Sequence, residues 1–204
     1  MVVLISPDLL QTEYSVRRHL RTATNDLHSD LDARLAPLIT QGDTGYAKFL
    51  SCSAAALLPI ERALGEAGIA AVLPDWPQRS RSEALRLDLS DLSLPEPSSP
   101  PSAKIGGRAF QLGMVYVLEG SRLGARLLLR EAQFTLGPAA RAAMRYLSHG
   151  QGLPLWQTFL QRLEASPDVC REPEHAAAGA RAAFQLFLTA ADLYLPSSVV
   201  PSRG

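Results

Sequence analysis

The stretch LRTATNDLHSDLD, residues 20–32, sets Leu20, Ala23, Leu27 and Leu31 three or four residues apart, and Leu35 extends the series to Pro37. That interval lays the side chains along one face of an α-helix. Ser6 ahead of Pro7 and Asp8 has the residue types of a helix start, so a first helix is predicted from about Ser6 to the residue before Pro37. Spacings of three and four recur through most of the chain, and no run alternates apolar and polar residues over the length of a strand. The sequence therefore predicts an all-α fold.

A second helix is predicted after QGDTG, residues 41–45, carrying Tyr46, Phe49, Leu50, Leu57 and Ile60, with a bend at Pro59 and its end near Gly65 and Gly68. Residues 73–92 open with turn formers and continue as a short amphipathic helix from about Arg81, a lid or flank with Leu85 and Leu89 on one face. The Pro and Ser density of LPEPSSPPS, residues 94–102, forbids regular structure and predicts a mobile loop over 95–102. A long helix from about Lys104 to Gln133 contains Gly106, Gly107, Gly113, Gly120 and Gly124, a composition that requires a bent path or a close contact in compensation. Further helices are predicted over residues 139–147, 155–163 and 174–194.

With 204 residues, 47% hydrophobic and 20% charged, the chain suits a single domain, 1–204, with flexible ends at 1–12 and 196–204. Lys plus Arg and Asp plus Glu number 20 each, so no net field draws the protein to nucleic acid or an anionic membrane, and a small-molecule partner is favoured. Cys52 and Cys170 are too few for a disulfide framework or a structural zinc site. MVVLISPDLL, residues 1–10, lacks the features of a signal peptide, and no run of apolar residues is long enough to cross a bilayer, so a cytoplasmic location is expected.

His28 stands four residues after Thr24 and three before Leu31, which predicts an imidazole on the buried stripe. A buried neutral imidazole is a good axial ligand for heme iron. Asp32, four residues on, is within reach of the other ring nitrogen and would fix the tautomer. Arg21 lies nearly two turns before His28, about 10 Å along the axis, a separation that suits a cation reaching a heme propionate. The plainer alternative is a hydrogen-bonded core histidine and a surface arginine.

A second motif is YVLEGSRLGARLLLR, residues 116–130. Gly120 and Gly124 share a helical face with Ser121 beside them, and this small-residue patch lets something flat approach the backbone. Close packing of two helices uses the same pattern.

LRTATNDLH followed downstream by YVLEGSRLG resembles the bacterial biliverdin-producing heme oxygenases, and DWPQRSRSEALRLDL, residues 75–89, is similar to the middle segment of members found beside bacteriophytochromes. The resemblance spans roughly residues 17–194. It implies a single-domain multi-helix bundle with heme between a proximal and a kinked distal helix. It further implies His28 as the iron ligand, Gly120, Ser121 and Gly124 on the distal face, and Arg21 and Tyr116 on the propionates, with Arg181 a weaker candidate for that task. Arg122 stands where relatives often carry a small polar residue.

In that family heme is cofactor and substrate at once, and dioxygen and electrons open the ring to biliverdin with release of iron and carbon monoxide. The protein then steers rather than supplying an acid or base: bare glycine backbone presses oxygen sideways, and Ser121 or main-chain groups anchor a water network. Electrons must come from outside, from a ferredoxin or a flavin-type reductase, because the chain has neither a dinucleotide-binding turn nor a cysteine array. A bacteriophytochrome is a conceivable recipient of the biliverdin.

Two rivals remain at this point. One is a heme carrier or sensor of the same fold. The other is a carboxylate di-iron oxidase using Glu172 and His175, which have a Glu-x-x-His spacing but no second such pair. His19 and His149 are expected at the surface or a helix end, His175 in solvent, and Trp76 and Trp156 in the core. Arg122, Arg126 and Arg130 read as a solvated face that can pair with Glu119, or as a dock for an acidic electron donor.

Overall fold

The computed structural model describes residues 15–98 and 105–195. Ten α-helices and one 3-10 turn account for the regular structure there, with no strand among the described residues. They are α1 (Val16–Ile39), α2 (Gly42–Glu66), the 3-10 turn Ile69–Ala71, α3 (Trp76–Arg79), α4 (Ser82–Asp91), α5 (Arg108–Thr135), α6 (Pro138–Ala142), α7 (Arg145–Ser148), α8 (Leu155–Glu164), α9 (Pro167–Arg171) and α10 (Pro173–Tyr194). None of the described helices is long and apolar enough to cross a membrane.

The helix of the Leu20 stripe begins at Val16, not near Ser6, because the Ser15 hydroxyl caps it by accepting from the Arg18 N–H. Ser6 itself, the ends 1–12 and 196–204, and residues 99–102 of the Pro/Ser loop lie outside the described residues. Residues 95–98 have no regular structure. At its other end α1 runs through Pro37 to Ile39. A proline this near the terminus removes only one helical hydrogen bond, and the Thr40 hydroxyl seals the turn by donating to the Pro37 carbonyl at 2.8 Å. The helix expected over 139–147 is two short pieces, α6 and α7, broken at Ala143 and Met144.

The apolar face of α2 enters the core as predicted, with Tyr46, Phe49, Leu50, Leu57 and Ile60 buried. Against it pack α10 and α5, which approach each other closely. A β-carbon on Gly113 would sit 1.9 Å from the Ala176 carbonyl oxygen, and one on Gly179 would sit 2.0 Å from that of Phe110. Only glycine permits that backbone contact, so Gly113 is the close approach anticipated for the glycine-rich helix.

Helices α1 and α10 lie side by side and run in the same direction. His19 faces Glu174 at 3.1 Å, His28 faces Phe184 with ring centroids 5.6 Å apart, and Arg34 pairs with Asp192. The start of α1 is held by Glu164, the last residue of α8, which accepts from the Ser15 hydroxyl and from the Val16 and Arg17 N–H groups at 2.8 to 2.9 Å. A carboxylate there satisfies helix-end donors and meets the positive end of the helix dipole.

Candidate functional site

Helices α1 and α5 are tied near both ends of α1. At one end the Thr135 hydroxyl donates to the Ile39 carbonyl at 2.9 Å. At the other, the Arg17 guanidinium lies 6.0 Å from the centre of the Trp156 ring, which packs on Tyr116 with centroids 5.6 Å apart. In chain order, His28 on α1 and Gly120, Ser121 and Gly124 on α5 all fall between these ties.

The two glycines of α5 differ from Gly113. A β-carbon on Gly120 would meet nothing nearer than the Trp156 ring at 3.8 Å, and one on Gly124 would meet nothing within 4 Å. Helix packing therefore does not require glycine at either place. Next to them Leu123 and Leu127 are 40% and 66% exposed, although both are large apolar side chains. Together these residues make an accessible apolar wall with stretches of bare main chain, the surface a flat, largely apolar ligand needs.

The His28 imidazole is not on the buried stripe. Its side chain is 60% exposed, at the edge of that stripe, with the Phe184 ring of α10 beside it. Asp32 is in reach as expected, with its Oδ2 3.3 Å from His28 Nε2. In this rotamer Asp32 faces Nε2, so a metal at that nitrogen would displace the carboxylate.

Arg21 is exposed on α1. Tyr116 is half-buried, and burial raises its phenol pKa while the nearby Arg17 and Arg21 guanidinium groups oppose the rise. Cations and phenol thus gather at the end of the interval near the start of α1. Arg181 is exposed on α10 one turn before Phe184.

Behind α5 lies a charged network that sequence reasoning missed. Arg122 is not part of a solvated face: it is 7% exposed, donating to Glu119 Oε1 at 3.1 Å, to the His149 carbonyl at 3.1 Å and to the Arg79 carbonyl. His149 stands at the end of α7, as expected, and is half-buried there, its Nδ1 3.0 Å from the Arg122 guanidinium, and desolvation followed by the Arg122 charge lowers its pKa. Arg79 bonds the second oxygen of Glu119 at 2.9 Å and the Leu155 carbonyl at 2.8 Å. Arg81 donates to Ser121 Oγ at 2.9 Å and the Leu118 carbonyl at 3.0 Å.

Glu61 of α2 anchors the turn before α4, accepting from the Arg81 and Ser82 N–H groups at 2.9 Å and from both neighbouring serine hydroxyls. Spacing could not flag Arg79 and Arg81, because in DWPQRSRSEALRLDL they occupy the polar positions of a short amphipathic segment.

Among the described residues no group of three or more His, Cys, Asp and Glu could hold a metal ion. Glu172 and His175 pair with each other at 3.0 Å on the surface, so they do not assemble a di-iron centre. His175 is solvated as expected, and Trp76 and Trp156 are core residues.

No family model matches the sequence. Relatives do. The chain is 34% identical over 149 residues to a heme oxygenase of Xanthomonas campestris pv. campestris, an alignment covering 71% of this chain and 87% of that protein. It is 28% identical over 185 residues to the heme oxygenase PigA of Pseudomonas aeruginosa, covering 85% and 92%. Its fold matches the NO- and CO-bound heme oxygenase of Neisseria meningitidis with a TM-score of 0.71 at 22% identity, over 88% of this chain and 92% of that one. An all-helical bundle that sets an imidazole and an open glycine face on neighbouring helices, and that shares most of its length with these proteins, belongs to the heme oxygenase family.

Proposed function

We propose that the protein opens heme oxidatively to biliverdin, releasing iron and carbon monoxide, with heme held between α1 and α5. The observation that carries this reading is the pair of glycines on α5, Gly120 and Gly124, which no neighbouring helix needs to be small. Their use is toward a ligand.

Heme, once bound, supplies the iron at which dioxygen is activated, and it is itself consumed. The chain's own residues bind, orient and exclude. His28 would hold the heme through its imidazole, and Asp32, whose Oδ2 lies 3.3 Å from Nε2, would orient that ring. Arg21, Tyr116 and, from α10, Arg181 would offer cations and a phenol to the two propionates and so set the rotation of the ring. Gly120 and Gly124 would leave room for the heme on the α5 side, where any larger side chain would intrude. Ser121 offers a hydroxyl to ordered water at that face. Leu123 and Leu127 cover apolar ring surface.

Electrons come from an external donor, a ferredoxin or a flavin-type reductase. A groove of about 560 Å³ beside α5, lined by Arg126, Arg130, Gln133 and Gln157 without a carboxylate, supports docking of an acidic donor on that side. A bacteriophytochrome is the proposed recipient of biliverdin, and the cytoplasm the proposed location.

The test is to add hemin to the purified protein, record its spectrum, and then supply a reductant and oxygen. Decay of the heme band with growth of a biliverdin band is expected. A stable oxygenated complex that never opens the ring would make the protein a carrier instead.

A further inference from the structure

We propose that the outward side of α5 carries a subsite for the opened tetrapyrrole, with its apolar body on Leu123 and Leu127 and its two carboxylates on Arg126 and Arg130. The proposal rests on the ring-opening reading above and adds a place for the product outside the gap between α1 and α5.

Helix α5 repeats one order of residues twice. Gly120, Leu123 and Arg126 form a row three residues apart, and Gly124, Leu127 and Arg130 form the next row, about one turn on. Residues three apart are neighbours on a helix surface, displaced by about 60° around the axis, since 3.6 residues complete a turn. Each row therefore winds about 120° around α5. It leads from bare main chain, through an exposed leucine, to an exposed cation.

A groove receives the far end of both rows. It encloses about 560 Å³, a volume within the range of small-molecule sites. Arg126, Arg130, Gln133, Gln151 and Gln157 line it together with Leu153, and no carboxylate does. Arg122, the other member of the series by fours, is buried and paired with Glu119. Arg126 and Arg130 are in no ion pair among the described residues, so their charges face the groove without a partner. Gln157 belongs to the first turn of α8, and the positive end of that helix adds to the two cations. The groove is continuous with the glycine face. Leu123, Arg126 and Leu153 share a cleft with Trp156, whose ring is what a β-carbon on Gly120 would meet first, at 3.8 Å.

Shape selects the occupant. A helix with its side chains is a cylinder about 10–12 Å across, and a flat, rigid macrocycle can lie on only one side of it. An opened ring can turn about bonds that closure had locked, so it can follow a row around the cylinder. Loss of iron also removes the bond to His28. Apolar contact and the two carboxylates then hold the product, and both find partners further along the rows: leucine for the body, and guanidinium groups four residues apart for the carboxylates. The order of residues along each row gives the movement its outward direction. Because the acidic donor is proposed to dock at the same groove, product seated there keeps the donor away until it leaves.

The test titrates the hemin-loaded full chain, without reductant, with biliverdin, followed by calorimetry and by the circular dichroism induced in the biliverdin band. One equivalent should bind while the heme band stays unchanged. Arg126→Gln combined with Arg130→Gln should weaken that binding about tenfold and leave hemin affinity within about twofold. On the parent protein, biliverdin dimethyl ester should also bind about tenfold more weakly, a comparison that decides the matter if the double variant does not fold. Metal-free protoporphyrin, closed and flat with the same two carboxylates, should bind there at least about fivefold more weakly than biliverdin.

Absence of a second binding event, displacement of hemin in its place, or an affinity indifferent to the arginines or to the esters overturns the subsite. Protoporphyrin binding as tightly as biliverdin overturns its assignment to the opened product. A parent protein that forms no biliverdin from hemin defeats the ring-opening reading instead, whereas one that forms biliverdin and takes up no second tetrapyrrole defeats this proposal alone.

Discussion

A β-carbon on Gly113 would lie 1.9 Å from the carbonyl oxygen of Ala176, so α5 and α10 touch main chain to main chain. The same helix carries Gly124, around which there is open space. One glycine serves the fold, the other is the one proposed to serve the ligand, and substitution separates them.

Gly113→Ala should destabilise the protein by about 1 to 3 kcal/mol, because helix α5 or α10 must shift to admit the methyl group. Gly124→Ala should instead stabilise the heme-free protein by up to about 1 kcal/mol through helix propensity alone. Urea unfolding of the two variants checks this, and equal destabilisation would show that Gly124 is also a packing residue. Gly120→Phe should fold and yet lose ring-opening activity, measured as biliverdin formed per heme.

His28→Ala should leave the helical circular dichroism and the unfolding midpoint of the heme-free protein nearly unchanged, since the ring is mostly exposed. The hemin complex should lose its axial imidazole spectrum and its turnover. Retention of the parent spectrum would reassign the axial ligand.

Glu164→Gln should cost about 1 kcal/mol, because the neutral amide keeps an acceptor for the start of α1 but loses its charge against the helix dipole. Glu164→Ala should cost more. Thermal unfolding is the measurement. The second effect should spread to the site as weaker hemin binding, because α1 carries His28.

His149 gives a pH dependence of known sign. Burial and the adjacent Arg122 hold its pKa below the ordinary 6.5, with Arg81 acting in the same direction and Glu61 opposing. Below pH 6.5 the unfolded chain takes up a proton that the folded His149 resists, so stability is complete above that pH and falls as the solution is acidified toward the folded value. Replacing His149 by Gln, which retains an acceptor for Arg122, should flatten this part of the curve. Chemical denaturation at pH 7.5 and pH 5.5 tests it, and an unaltered slope in the variant would place the titration elsewhere.

The helical fold was legible because its apolar spacings are local: the stripes of α1, α2 and α10 are fixed by the period of the helix itself. So was the juxtaposition of His28 with Asp32, a neighbour relation within one helix. The exposure of His28 was not legible, because it depends on which helix lies opposite, and Phe184 comes from 156 residues later in the chain. Nor were Arg79, Arg81 and Arg122. Their charges argue for solvent, and their burial follows only from partners on other elements: Glu119 and the Leu155 carbonyl for Arg79, Ser121 for Arg81 and His149 for Arg122. Glu164, exposed and unremarkable in sequence, acts entirely through a segment that precedes it by almost 150 residues.

The two ties of α1, to Glu164 at its start and to Thr135 at its finish, make that helix a beam fixed at both supports. With α10 packed along its flank as well, the placement of His28 at mid-span is inherited from residues far away in the chain, and a change at either support should move the imidazole without touching a residue beside it.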